Sequence, residues 1–333
     1  MEPKVLTAEE LFLRGKVQVK KNPLLFWRDN PFGKELDLSE RRPVVNLAGT
    51  IFEQKYGRPH SKLFANLYHR GKFYIARVPN NGVKDFYFQL WYFKPKIGRA
   101  YLAAHALLRF EMNPQSPIEL VAEVPTEETL KALAKMPGSA AVDALPGEIQ
   151  GASLKNVAVS AEAQWTKDDK YKEYNLWRGK IGAFTQIGRF VSMEERLVKY
   201  YQSDEPVDQV EFESSGDAAS RALDKALAMS QSDGISKRYD TLFYNCTTYA
   251  FDVLEKADGF SDDRLGFIRS FAEKRVPVIS ASKLKYYGGL EVKPVGEDAS
   301  LNEEKEAAKT RVAEMAATSN SPAGSNLRQA SHP

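Results

Sequence analysis

Nucleophilic chemistry in this chain can come from few side chains: one cysteine, Cys246, and four histidines, His60, His69, His105 and His332. Cys246 lies in YDTLFYNCTTYAFDVLEKA (Tyr239 to Ala257). Asn245 is a good helix N-cap, and Ala250, Val253, Leu254 and Ala257 then follow helical spacing up to a stop at Gly259. The thiol is therefore expected in the first turn of a helix. Unpaired N–H groups and the positive dipole end there favour a thiolate, and they can also receive the oxyanion of a tetrahedral intermediate. Asn245, Thr247 and Thr248 form a polar collar around it. A lone cysteine is most often a small buried hydrophobe; a collar of this kind is what an exposed thiolate needs and a core thiol does not.

A thiol nucleophile needs a base, usually an imidazole held by a third polar group. His332 lies near the C-terminus, and His60 and His69 lie in a polar, loop-rich region. His105 sits in LAAHALLRFEM, where strand alternation places Ala104, Ala106, Leu108, Phe110 and Met112 on one face and His105, Leu107, Arg109 and Glu111 on the other. The turn Asn113-Pro114-Gln115-Ser116 leads into IELVAEV, suggesting a hairpin. A turn centred near Pro114 puts Glu123 opposite His105 as its orienting carboxylate. A register slip offers Glu119 on the same face instead. The plainer alternative is a surface histidine beside a surface glutamate.

The elements that must position these residues read as mixed α+β. Strands are expected at Lys72 to Val78, Phe86 to Phe93, Tyr101 to Met112, Ile118 to Val124, Val157 to Trp165 and Val207 to Glu213. Helices are expected at Thr126 to Met136, Ser192 to Tyr201 and Asp217 to Gln231. Residues 1–71 read as a loop-rich N-terminal segment, 72–294 as the catalytic domain with an inserted loop at 137–153, and 295–333 as a disordered tail with at most a transient helix at Asn302 to Ala317. The tail is a place where a protein partner could dock.

Composition excludes several classes. The 333 residues are 43% hydrophobic and 27% charged with a formal charge of +3, ordinary for a globular chain and offering no basic face for nucleic acid. One cysteine precludes an internal disulfide. No run approaches the ~18 apolar residues of a membrane span, and the first residues lack the apolar core of a signal peptide. No cluster has metal-ligand spacing and no glycine-rich phosphate loop is present, so neither metal nor cofactor is expected.

Tyr239-x-x-x-x-x-Asn245-Cys246-Thr247-Thr248, with AAHALLRFEM and the segment ending in Glu123 far upstream, resembles the Lnb N-terminal periplasmic domain family, placed among circularly permuted relatives of NlpC-type, papain-like peptidases. The resemblance runs from about Phe86 through Leu290. It implies a permuted papain-like fold, an antiparallel sheet with the nucleophile helix packed against it. It also implies Cys246 as nucleophile, His105 as base and Glu123 as the third polar residue, in the periplasm or cell envelope. Without a visible export signal the cytoplasm stays open. The activity expected is a cysteine-dependent hydrolase or acyl transferase acting on an amide, ester or thioester of a peptide- or acyl-bearing substrate. The alternative is an inactive module of the same fold that binds a ligand or protein.

Overall fold

β-branched and aromatic runs become strands at each of the six places where alternation predicts one, and the structure, a computed structural model, adds elements that the pattern hides. It describes residues 3–12, 16–19, 30–97, 100–172, 174, 176–203, 205–212, 216–231, 235–241, 245–257 and 291–319. His332, the expected helix stop at Gly259 and residues 275–290, the end of the span that carries the family resemblance, lie outside the described residues.

In chain order the elements begin with α1 (Ala8–Phe12), β1 (Val45–Asn46), α2 (Ile51–Tyr56), β2 (Ser61–His69), β3 (Lys72–Pro79), β4 (Val83–Ile97), β5 (Ala100–Met112) and β6 (Ile118–Glu123). There follow α3 (Glu127–Leu133), α4 (Gly138–Ala144), β7 (Ser153–Leu154), β8 (Asn156–Gln164), α5 (Leu176–Lys180), β9 (Thr185–Ser192) and α6 (Met193–Ser203). The series closes with β10 (Val207–Phe212), α7 (Gly216–Ser230), α8 (Cys246–Lys256), β11 (Val292–Pro294) and α9 (Asn302–Ser319). The strands form one sheet in the order β11-β10-β4-β5-β8-β9-β2-β3-β6-β7, with β1 on β2. It is antiparallel except for the β2–β9 pair.

Three apolar clusters hold helices to this sheet. On one face, Phe86, Phe88, Leu90, Ala104, Ala106, Leu108 and Phe110 pack with Ala219, Leu223 and Ala226 of α7 and with Cys246, Ala250, Val253 and Leu254 of α8. On the other face, Leu107, Ala158 and Val191 meet Met193, Leu197 and Val198 of α6, together with Val295, Leu301 and Ala308. A third cluster covers the β2–β3–β6 end with Leu11, Phe52, Leu130 and Ala141. Gly188 in β9 lets α7 come close: a Cβ built there would fall 2.4 Å from the Ser230 Cα.

Several expectations are corrected. The turn at Asn113 forms, with Ser116 N–H donating to the Asn113 carbonyl at 2.8 Å, but the strands it joins do not pair. β5 lies between β4 and β8, whereas β6 pairs with β3 and β7. A turn guarantees reversal of the chain and leaves the choice of partner strand to packing. The N-terminal segment contributes β2 to the middle of the sheet; its pattern is broken at Asn66, whose φ of 72° sits in a register shift between Phe64 and Leu67. The expected loop 137–153 contains α4, with Ala141 and Val142 buried. Residues 295–319, expected as a tail, fold back: Val295, Leu301 and Ala308 are buried, and Asp298 forms an ion pair with the fully buried Arg109. Those few apolar residues suffice because a buried cation anchors the segment.

Candidate active site

Asn245 caps α8 as its sequence suggests. Its Oδ1 accepts from the N–H groups of Thr247 at 2.9 Å and Thr248 at 3.1 Å, and Thr248 Oγ1 accepts from the Asn245 N–H at 2.8 Å. This reciprocal capping box makes a firm helix start. It also occupies the Thr247 and Thr248 N–H groups, so they are not the free oxyanion donors that the helix start suggested.

Other groups serve the sulfur. Cys246 Sγ accepts from the Ala106 backbone N–H at 3.2 Å and from the Tyr239 hydroxyl at 3.7 Å. The Ala106 donor is available because the ladder between β5 and β8 runs from Leu108 to Glu111 and goes no further toward the start of β5. The sulfur thus sits where β5 parts from β8. Cys246 is only 3% exposed, and burial pushes its thiol up from the ordinary value, opposed by the bonds from Ala106 and Tyr239 and, to a smaller extent, by the neighbouring Thr247. In this conformation it rests as a thiol.

His105 is one residue from that donor, yet its side chain points the other way. Ala104, Ala106 and Leu108 share the Cys246 cluster while Leu107 belongs to the opposite one, so alternation carries the imidazole to the α6 face. There its Nε2 lies 3.8 Å from Glu162 Oε1 and has no hydrogen-bond partner. Burial, reinforced by Arg196, Arg41 and Arg189, pushes the imidazole down to about 3, with Glu162 opposing; it is neutral near pH 7.

Neither carboxylate expected beside His105 is there. Glu123 lies opposite Tyr74 and bridges to Lys72 at 2.5 Å; Glu119 pairs with Arg77. The residue facing the ring is Glu162 of β8, held well below the usual carboxylate range by Arg196, Arg189 and Arg41 despite its burial. Glu162 carried no local signal in the sequence, since its closeness to His105 comes from the β5–β8 neighbourhood. Tyr239, by contrast, stood at the head of the cysteine block, though without an assigned role.

Along the other side of α8, Thr248, Asp252 and Lys256 succeed one another at four-residue spacing. With Gln186, Met229, Lys237, Arg238 and Tyr249 they line a cavity of about 460 Å³. Among the described residues no group of three or more His, Cys, Asp or Glu is placed to hold a metal ion, and no helix is long and apolar enough to cross a membrane.

Fold and site define a mixed α+β protein with a large, mostly antiparallel sheet and a lone thiol at the capped start of a helix packed on it. Residues 97–274 match the family model of the Lnb N-terminal periplasmic domain, and the chain belongs to that family. The matched span includes β5, β8 and the cysteine helix. Comparison with curated proteins and with solved structures found no match.

Proposed function

We propose that the protein is a cysteine-dependent acyl-transfer enzyme, a hydrolase or transferase of permuted papain-like architecture, acting on an amide, ester or thioester in the periplasm or cell envelope. The observation that carries this reading is the donor pair on Cys246 Sγ: a strand N–H released from its ladder and a buried phenol, at the start of a capped helix. An inert core thiol has no need of two donors.

In this reading Sγ attacks the substrate carbonyl carbon and a carbon–sulfur bond forms. The thiol proton passes to the neutral imidazole of His105, which must first swing from the α6 face to the edge of β5 where its ladder with β8 ends. Glu162 takes the orienting role. Ala106 N–H and the Tyr239 hydroxyl, freed from the sulfur as it bonds to carbon, stabilise the oxyanion. Collapse expels the amine, alcohol or thiol with the proton from the imidazole, and water or a second nucleophile then takes the acyl group from the sulfur. The cavity beside Thr248 and Asp252 is the proposed seat of the substrate's leaving part.

Burial of Cys246 and its raised thiol favour a second reading, an inactive module that uses the same cavity to bind a ligand. Intact mass after incubation with an activated ester separates the two. The enzyme gains one acyl group on Cys246, more slowly in His105→Gln and Tyr239→Phe and not at all in Cys246→Ser. Folded wild-type protein that never acylates leaves the binding module.

A further inference from the structure

On the face of the sheet away from the sulfur, three arginines converge on one carboxylate. Arg41 Nε lies 2.9 Å and Arg189 Nη1 3.5 Å from Glu162 Oε2. Arg196 contacts Glu162 Oε1 and donates to Ser160 Oγ at 2.9 Å. Arg189, Arg196 and Glu162 are 2%, 6% and 6% exposed. Lys199, on the solvent side of α6, adds a positive charge near Arg189 and Glu162, and Glu40 and Asp37 act on Arg41 from further out. His105, neutral beside the cluster, adds no charge.

Three guanidinium groups against one carboxylate leave a surplus of two positive charges in a buried setting, which is strongly unfavourable without a counter-charge. The surplus comes with unused donors: Arg189 Nε and Arg196 Nε are buried and have no hydrogen-bond partner, and His105 Nε2 is in the same condition. Planar guanidinium forks with free N–H groups fit the oxygens of a tetrahedral or planar oxyanion. The cluster is not sealed, because the side chains of Arg41 and His105 keep 14% and 21% of their exposure.

We propose that Arg41, Arg189 and Arg196 form a binding site for a phosphate group, with Ser160 and His105 at its edge. A doubly charged phosphate balances the surplus, and its oxygens supply acceptors for the idle Nε–H groups. The site shares His105 and Glu162 with the proposed acyl transfer but does not rest on it: failure of the acylation test leaves the arginine cluster and its surplus charge unchanged.

The test is isothermal titration calorimetry of the full chain with inorganic phosphate at low ionic strength, with chloride as the control salt. One saturable phosphate site is expected. Arg189→Met and Arg196→Met should each weaken it about tenfold or more, whereas Glu162→Gln, which enlarges the positive surplus, should tighten it several-fold. Should those variants fail to fold, wild-type protein still decides, because phosphate must then shift the His105 ring resonances in a saturable way. Glycerol phosphate distinguishes sources: tighter binding than inorganic phosphate assigns an esterified group, and weaker binding assigns the free ion. No saturable heat, unchanged affinity in folded Arg189→Met, or an unmoved His105 resonance overturns the site.

Discussion

Ala106 gives its backbone N–H to the sulfur of Cys246 across 3.2 Å, at the point where β5 leaves its ladder with β8. That bond ties the cysteine helix to the strand that carries His105, while the imidazole itself points to the opposite face of the sheet.

The Ala106 bond can be weighed by two substitutions. Cys246→Ala removes the acceptor and leaves a buried N–H unpaired beside a small void, which should cost about 2 kcal/mol. Cys246→Ser keeps an acceptor and should cost about half as much. Urea denaturation of both variants checks this, and equal losses would show that the sulfur's bonds do not contribute.

The capping box should behave as a local unit. Asn245→Ala strips the acceptor from the Thr247 and Thr248 N–H groups and should destabilise the protein by about 1 kcal/mol, with Thr248→Val losing less. Both losses are read in the same urea titration.

The depressed histidines make stability depend on pH. A His105 with a folded pKa of about 3, against an ordinary ~6.5 in the unfolded chain, binds fewer protons folded than unfolded in that window. Its contribution is complete above ~6.5 and is lost progressively as pH falls toward the folded value. His69, also lowered by burial, adds in the same sense. The free energy of unfolding, read from urea titrations at each pH, should therefore fall between about pH 6.5 and 5, before most carboxylates protonate, by on the order of 1 kcal/mol per pH unit. His105→Gln should flatten that slope, and a slope that does not change means that the ring is not held neutral.

The folded-back C-terminal segment depends on Asp298. This carboxylate is held far below its usual range, burial notwithstanding, by Arg109, Ser300 and Gln209. Asp298→Asn leaves Arg109 buried with a weaker partner and should cost about 3 kcal/mol. Limited proteolysis offers a direct reading: residues 292–319 resist cleavage in the wild type and become the first site cut in the variant.

Local signals in the sequence were enough for the N-cap at Asn245, the helix after it, six strands and the alternation that sends His105 away from the apolar face. Each of these depends on residues a few positions apart, whose conformational preferences act before any tertiary contact forms. The same local chemistry made the polar collar legible, and the block around Cys246 carried the family. Which strands lie side by side was settled only by the tertiary structure. β5 finds β8, not β6, because burial of two apolar faces by α6, α7 and α8 outweighs the short connection through Asn113 to Ser116. That choice replaced Glu123 and Glu119 with Glu162 beside His105, brought Arg41 from a distant segment to Arg189 and Arg196, and placed sulfur and imidazole on opposite sides of one strand. No spacing in the chain encodes such relations, since they are paid for by long-range packing.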